Sequence, residues 1–246
     1  MTKEQSFKLI PYRKKDKWGF CDRAKKIIIQ VQYDFVGDFH EGLVKVQLNN
    51  KWGFINEAGK EVTEIKYDEA EDFNNGYAKI NFGIKKKAGS ETFSGKWGVI
   101  SSSGKEIIPP QYNNIGEYFN GLFPVMLNDR WGFIDTAGKQ MTPPKYEKIG
   151  KFSEGLIAVR LDSKWGFINK EGKQLINNNY SSVGEFHEGV SMVELNGWWG
   201  LIDNKGRGIT PIKYDEIIDN GETLMIAKTA GKWGYIDKSG VEYFED

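Results

Sequence analysis

The stretch Lys164-Trp-Gly-Phe-Ile-Asn-Lys-Glu-Gly-Lys173 decides the fold, because versions of it recur along the whole chain. Successive Trp-Gly pairs are 34 residues apart, except for one spacing of 45 residues. A unit of this length cannot bury a hydrophobic face alone, so the units are expected to stack on one another. The seven pairs begin at Trp18, Trp52, Trp97, Trp131, Trp165, Trp199 and Trp233.

Three further positions recur with the Trp-Gly pair. An isoleucine stands three residues after Trp and a glycine seven residues after it, except that the first unit has Cys21 and Lys25 there. A tyrosine stands fifteen residues after Trp in the first six units. We call these recurring positions columns. Because they lie within one chain, they indicate a structural requirement that every repeat unit shares. The tyrosines are Tyr33, Tyr67, Tyr112, Tyr146, Tyr180 and Tyr214.

Each unit is typical of short strands separated by turns. In the second unit, alternation predicts a hairpin of strands 43–48 and 51–56 around the tight turn Asn49-Asn50. A turn ending at Gly59 leads to a third strand, Lys60–Tyr67, and residues 68–73 form a short fourth strand or an ordered loop. No window shows a helical period. The sequence therefore predicts an all-β protein.

The Trp-Gly pair itself has a structural interpretation. A glycine within a strand allows a neighbouring backbone or ring to approach closely, and a large indole can cover it. We therefore expect the repeated Trp side chains to be largely buried against the tyrosine of their own unit or the aromatics of the next.

The repeat predicts one domain over residues 1–246. The extra residues of the single long spacing are a hairpin insertion, residues 83–95, in the third unit. The predicted unit boundaries are about 6–37, 38–71, 72–116, 117–150, 151–184, 185–218 and 219–246.

The columns together resemble the WG-repeat (KWG-repeat) family of bacterial β-repeat proteins. The resemblance rests on Gly155-Leu-Ile-Ala-Val159, Lys164-Trp-Gly-Phe-Ile-Asn169, Gly172-Lys173 and Tyr180, and it extends over residues 6 to 243. It implies a β-repeat array from a family whose members mostly have no assigned activity.

Two arrangements of the seven units fit the sequence. About four short strands in each unit favour a propeller-like ring of seven blades, which is our prediction. The alternative is an open superhelical β-repeat array, because no strand is obviously exchanged between the two ends to close a ring.

Composition excludes several classes of protein. Lys and Arg (34) balance Asp and Glu (34), which argues against general nucleic-acid binding. A single cysteine excludes a disulfide framework, and a mean hydropathy of −0.55 with no long apolar run argues against a membrane span. The first residues have no signal-peptide core, so a cytoplasmic location is expected.

The residues that could carry chemistry have simpler interpretations. His40 and His187 occupy the same column, at a turn, and Cys21 stands where other units have isoleucine. Asp, Asn and Ser alternate in the turn column, which indicates a hydrogen bond to the backbone rather than catalysis. We therefore predict no catalytic, cofactor-binding or metal-binding residue, no cofactor, and no enzyme activity.

Two departures from the repeat are the candidate partner-binding residues. The insertion brings Lys85, Lys86 and Lys87, which could meet an acidic partner or phosphate, together with Phe93. Trp198 replaces the basic residue that precedes Trp in most units, and strand alternation predicts that it faces outward if Trp199 faces the core.

The sequence favours a non-catalytic protein-interaction or scaffold module that presents a rigid repeat surface. The alternative is a ligand-binding or glycan-binding (lectin-like) module that uses aromatic stacking. The expected partner is another protein, and the chain is expected to be a monomer or a subunit of a hetero-complex.

Overall fold

The computed structural model describes residues 9–84 and 95–244, and these residues contain strands, turns and bends but no helix. The chain divides into two compact units, residues 1–115 and 116–246, which are described separately. The all-β prediction is thus confirmed for the described residues.

The first compact unit, residues 1–115, contains the strands β1 to β11. Three antiparallel sheets have the orders β1-β2-β3, β4-β5-β6 and β10-β9-β8-β7. The strands are β1 (Ile10–Lys14), β2 (Lys17–Cys21), β3 (Ile27–Tyr33), β4 (Phe35–Val36), β5 (Leu43–Leu48), β6 (Lys51–Asn56), β7 (Glu69–Ala70), β8 (Tyr77–Phe82), β9 (Lys96–Ser101), β10 (Glu106–Tyr112) and β11 (Asn114–Ile115).

The second compact unit, residues 116–246, contains the strands β12 to β24. Its sheets include β12-β13-β14, β15-β16-β17-β18, β19-β20-β21 and β22-β23-β24, each in chain order. The strands are β12 (Leu122–Leu127), β13 (Arg130–Asp135), β14 (Gln140–Tyr146), β15 (Lys148–Ser153), β16 (Leu156–Leu161), β17 (Lys164–Asn169), β18 (Gln174–Tyr180), β19 (Ser182–Val183), β20 (Val190–Leu195), β21 (Trp198–Asp203), β22 (Glu216–Ile218), β23 (Leu224–Thr229) and β24 (Lys232–Asp237).

Each of these sheets is built on one Trp-Gly hairpin, and we number the sheets 1 to 7 after the seven pairs. The turn between β5 and β6 has Asn49 at φ 52° and Asn50 at φ 60°, which is the left-handed pair that a two-residue hairpin turn requires. Gly59, with φ 75°, occupies the left-handed position of the following turn. Both turns agree with the sequence prediction.

The third strand of sheet 2 differs from its prediction. Lys60–Tyr67 does not form a continuous strand and makes only two isolated bridges, Ile55 to Glu61 and Trp52 to Tyr67. Between the bridges the Oγ1 atom of Thr63 accepts a hydrogen bond from the Phe54 N–H at 3.0 Å. A side-chain hydroxyl therefore takes the place of a backbone carbonyl, and the strand ladder is interrupted there. The corresponding third strand is seven residues long in sheets 1, 3, 4 and 5.

In sheets 1 to 6 the glycine of the Trp-Gly pair lies against the backbone of the third strand or of the segment in its place, whereas Gly234 of sheet 7 lies against the Phe244 side chain. A Cβ atom on Gly166 would lie 2.5 Å from the Ile176 carbonyl oxygen and 2.7 Å from the Asn177 carbonyl carbon. The pairing of β17 with β18 shifts register between Trp165 and Phe167, beside this contact. The shift leaves Trp165 opposite Tyr180. The close approach inferred from the sequence is therefore present.

The core lies between successive sheets. Phe167 and Ile176 of sheet 5 form a cluster with Val193 and Ile202 of sheet 6. The same positions form clusters between sheets 1 and 2, 2 and 3, 4 and 5, and 6 and 7. Within each of the two compact units, a sheet thus buries its apolar face against the sheet that follows it, as stacking of the repeats requires.

The repeated tryptophans are less buried than the sequence suggested. The residue two positions after Trp is the one that enters the core, since it is 0–1% exposed in sheets 1 to 6. The indoles of those sheets are half-buried, and Trp233 is 52% exposed. Trp is the second residue of its strand, next to the hairpin turn, so its ring covers the rim of the interface rather than its centre.

Replacement of the core phenylalanine should be the costlier of two truncations. Phe167→Ala leaves a cavity between sheets 5 and 6 and should lower the free energy of unfolding by about 3–5 kcal/mol. Trp165→Ala removes a half-buried ring and should cost clearly less. Urea unfolding of both variants measures the difference. An equal loss would mean that the indole is part of the core.

Burial of the repeated tyrosines predicts a loss of stability in alkali. Burial raises the pKa of Tyr67 to about 12, and it also raises the pKa of Tyr112, Tyr146 and Tyr180 above the usual value of about 10. A raised folded-state pKa stabilises the protein below the unfolded-state pKa, and that stability is lost as pH rises through the folded-state pKa. We expect stability to fall between about pH 10 and pH 12.

An absorbance titration checks this expectation. Tyrosinate absorbance should show a late phase that coincides with the loss of the far-ultraviolet circular dichroism signal. If every tyrosine ionised near pH 10 while the protein stayed folded, the repeated tyrosines would not be buried and the prediction would be wrong.

Candidate functional site

The predicted partner-binding residues divide into two groups. Lys85, Lys86, Lys87 and Phe93 lie outside the described residues, so their role stays a prediction. Trp198 begins β21 and its side chain is 46% exposed. The outward orientation expected from strand alternation is therefore present at Trp198.

The position of Trp198 has a defined role in other sheets, where the residue before Trp is a cation that meets an acid seventeen residues later. Lys17 donates a hydrogen bond to Asp34, and Lys51 pairs with Asp68 in the same way. In sheet 4 the equivalent pair is Arg130 with Glu147, at 3.3 Å. The cation therefore holds the carboxylate that follows the buried tyrosine.

The same acid also binds the hairpin of the next sheet. Asp34 accepts a hydrogen bond from the Asn49 N–H at 2.6 Å, and Glu147 accepts one from the Ser163 N–H at 3.2 Å. The hydrogen bond from the Lys17 ammonium and the one from the Asn49 amide hold the pKa of Asp34 below its ordinary value. The cation, the acid and the turn amide together tie one sheet to its successor.

Sheet 6 keeps the acid of this arrangement but lacks the cation. Trp199 pairs with Tyr214 in an isolated antiparallel bridge, so Trp198 at the start of β21 and Asp215 just before β22 flank that pair. Asp215 accepts a hydrogen bond from the Gly231 N–H at 3.0 Å, and it makes no ion pair within the described part of the chain. The register thus places the exposed indole at the cation position, opposite a carboxylate that lacks its usual ion pair.

Sequence reasoning identified Trp198 but missed Asp215. The signal was available, because the spacing of seventeen residues between Lys17 and Asp34, Lys51 and Asp68, and Arg130 and Glu147 is constant. Only the observed pairing shows that this spacing connects a cation to its acid.

The residues with other candidate chemistry have structural roles. Asp203 accepts hydrogen bonds from the Lys205 and Arg207 N–H groups at 2.9 and 2.8 Å, and Asn169 accepts one from the Lys173 N–H. The turn column therefore binds backbone, as the sequence indicated. His40 and His187 are exposed, and Cys21 is buried.

The described residues contain neither a metal-binding cluster nor a membrane-spanning helix. No group of three or more His, Cys, Asp and Glu side chains is placed to hold a metal ion there. Over the same residues, no helix has the length and apolar character needed to cross a membrane.

Two surface depressions in the second compact unit, residues 116–246, could not be predicted from the sequence. An open one of about 490 Å³ lies at sheet 7 and includes Tyr235, Glu222, Glu188 and Lys238. Lys238 donates a hydrogen bond to Glu188 at 2.7 Å, and this lowers the pKa of Glu188.

The second depression, of about 150 Å³, is lined mainly by apolar side chains, among them Ala158, Trp165 and Phe167. Its space comes from the small side chain at Ala158, because other sheets have Lys45, Pro124 or Met192 at that strand position.

Solved structures similar to this one have low scores. KlHsv2 with loop 6CD replaced by a Gly-Ser linker has a TM-score of 0.38 at 9% identity, over 68% of this chain and 61% of that one. A structure titled as the eukaryotic initiation factor has a TM-score of 0.37 at 12% identity, with coverages of 95% and 72%. The extracellular domain of the putative one component system BT4673 from B. thetaiotaomicron has a TM-score of 0.33 at 14% identity, with coverages of 91% and 35%. No conclusion rests on scores at this level.

Comparison with protein families is more informative. No curated protein matches the chain. The family model described as "WG containing repeat" matches residues 18–52, 52–83, 97–131, 131–165, 165–197 and 199–229. These six matches cover most of the sequence. The chain belongs to the family of proteins with WG-containing repeats.

Proposed function

We propose that this chain is a non-catalytic protein-interaction module that binds a partner protein through the surface around Trp198. The observation that carries the proposal is the exposed indole of Trp198, which the strand register places opposite Asp215, the acid that lacks its cation. In sheets 1, 2 and 4 the same acid position is neutralised from within the sheet. The polar groups that recur in the repeat are engaged in turns or between sheets.

The chemistry of this surface favours a basic side chain of the partner. A lysine or arginine can lie over the face of Trp198 and pair with the carboxylate of Asp215 at the same time. Tryptophan is also among the residues that contribute most to protein interfaces. The partner would supply the cation that sheet 6 lacks.

Further parts of the proposal concern the setting of the module. The protein would act in the bacterial cytoplasm, with its seven units in an open superhelical array, because a ring closed between sheets 1 and 7 would cover Ile10 and Tyr235, which are exposed. The seven hairpin sheets of three or four strands support that number of units. The insertion 83–95, with Lys85, Lys86, Lys87 and Phe93, would be a second contact on the partner.

Trp198→Lys tests the proposed surface without damaging the fold. The new lysine restores the Lys–Asp pair seen at Lys17 and Asp34, so the melting temperature should stay the same or rise slightly. Because Trp198→Lys removes the indole and neutralises Asp215, it should abolish capture of the partner protein. The measurement is recovery from the native cell by quantitative mass spectrometry, with wild type and variant as baits.

Leu175→Lys is the matched control, because Leu175 is also an exposed apolar strand residue, at 43%. It should capture the same proteins as wild type. If Trp198→Lys and wild type recover the same proteins in equal amounts, the surface around Trp198 does not bind the partner.

A second candidate function is binding of a glycan or another small ligand. Tyr235 is 49% exposed and lies in the open depression with Glu222 and Lys238, which is a suitable combination of ring and polar groups for a sugar. A glycan array with wild type and Tyr235→Ala distinguishes the two candidates. Binding that Tyr235→Ala abolishes and Trp198→Lys preserves would favour the glycan function.

A further inference from the structure

The sheet-to-sheet interface has two different halves. One sheet contributes the residue two positions after its Trp, such as Phe167 in sheet 5. The next sheet contributes the isoleucine of its second strand and residues of its first strand, such as Ile202 and Val193. Leu201 of sheet 6 meets Ile236 and Ala227 of sheet 7 in the same way. We call the surface with the residue two positions after Trp the giving half, and the surface with the isoleucine and the first strand the receiving half. The two halves are distinct surfaces of a sheet.

Sheet 7 leaves its giving half uncovered. Tyr235 stands two positions after Trp233, where the side chains of sheets 1 to 6 are 0–1% exposed, and yet it is 49% exposed. Trp233 is also more exposed than the other repeated tryptophans. We call Trp233 and Tyr235 the tail face.

Sheet 1 leaves the first-strand part of its receiving half uncovered, although Cys21, at the isoleucine position, is buried. Ile10 is 40% exposed, whereas the residue at its strand position is 1% exposed in sheet 2 (Val44) and 0% exposed in sheet 5 (Ile157). Tyr12 is half-buried at a strand position where Val46 is fully buried. We call Ile10 and Tyr12 the head face.

We propose that the tail face of one copy of this chain binds the head face of a second copy. The occupant follows from continuity with the interface already present between successive sheets, because the two faces are its giving and receiving halves. The surfaces are different from each other, so the contact is heterologous and can continue to a third copy. This inference goes beyond the proposed function, since it uses neither Trp198 nor Asp215.

Self-association differs from the monomer or hetero-complex expected from the sequence. The repeat columns alone cannot reveal the difference, since Tyr235 is in register with Phe167 and Ile10 with Val44. Only the exposed fractions show that the two faces lack the neighbouring sheet that covers Phe167 and Val44.

Two charge substitutions test the proposal by complementation. Ile10→Asp blocks the head face and Tyr235→Asp blocks the tail face, and both positions are exposed, so the fold should be retained. In sedimentation equilibrium the average mass of wild type should rise with concentration, while each variant alone stays monomeric. An equimolar mixture should form a one-to-one dimer and nothing larger, because it has one intact head and one intact tail.

Leu175→Asp is the control, because it places the same charge on an exposed apolar residue outside both faces, and it should associate like wild type. Circular dichroism verifies folding, and Tyr12→Asp and Trp233→Asp replace either variant that fails to fold. A wild-type protein that stays monomeric at every concentration would overturn the proposal. A monomeric mixture, or variants that still associate alone, would overturn it too.

Discussion

The structure depends on the close approach of the third strand to the glycine of the Trp-Gly pair in sheets 1 to 6. At Gly166 the carbonyl oxygen of Ile176 lies only 2.5 Å from where a Cβ atom would be, and at Gly132 the Thr142 carbonyl oxygen lies 2.6 Å from that position. The strand can cross at this distance only because the residue has no side chain. The accompanying register shift brings Tyr146 opposite Trp131, where the tyrosine is buried. Packing between the sheets follows from this crossing.

The same repetition restricts where function can lie. The turn acids bind backbone, and acids such as Asp34 tie one sheet to the next hairpin. Since these columns have structural tasks in successive sheets, a binding surface arises where a column is broken or uncovered. Trp198 breaks the cation column, and Tyr235 and Ile10 are positions that elsewhere have a neighbouring sheet.

The sequence predicted those features that depend on local geometry. The Asn49-Asn50 turn, the buried Cys21 and the backbone-binding role of Asn169 all follow from what one residue type can do in its place. The third strand of sheet 2 was predicted wrongly, because alternation cannot show that the Thr63 hydroxyl replaces a carbonyl as the acceptor. The site at Trp198 was half predicted, since Asp215 is recognised only when its pairing across strands is seen.

The most direct measurement of the central claim is the free energy of unfolding of Gly166→Ala beside that of Gly208→Ala. The added methyl group would overlap backbone atoms at Gly166, whereas at Gly208 the nearest neighbour is the Thr210 carbonyl oxygen at 3.5 Å. We predict that Gly166→Ala loses about 1–3 kcal/mol or more. Gly208→Ala should be neutral or stabilising by about 0.4–1 kcal/mol, because alanine reduces the entropy of the unfolded chain. A Gly166→Ala protein as stable as wild type would contradict the account.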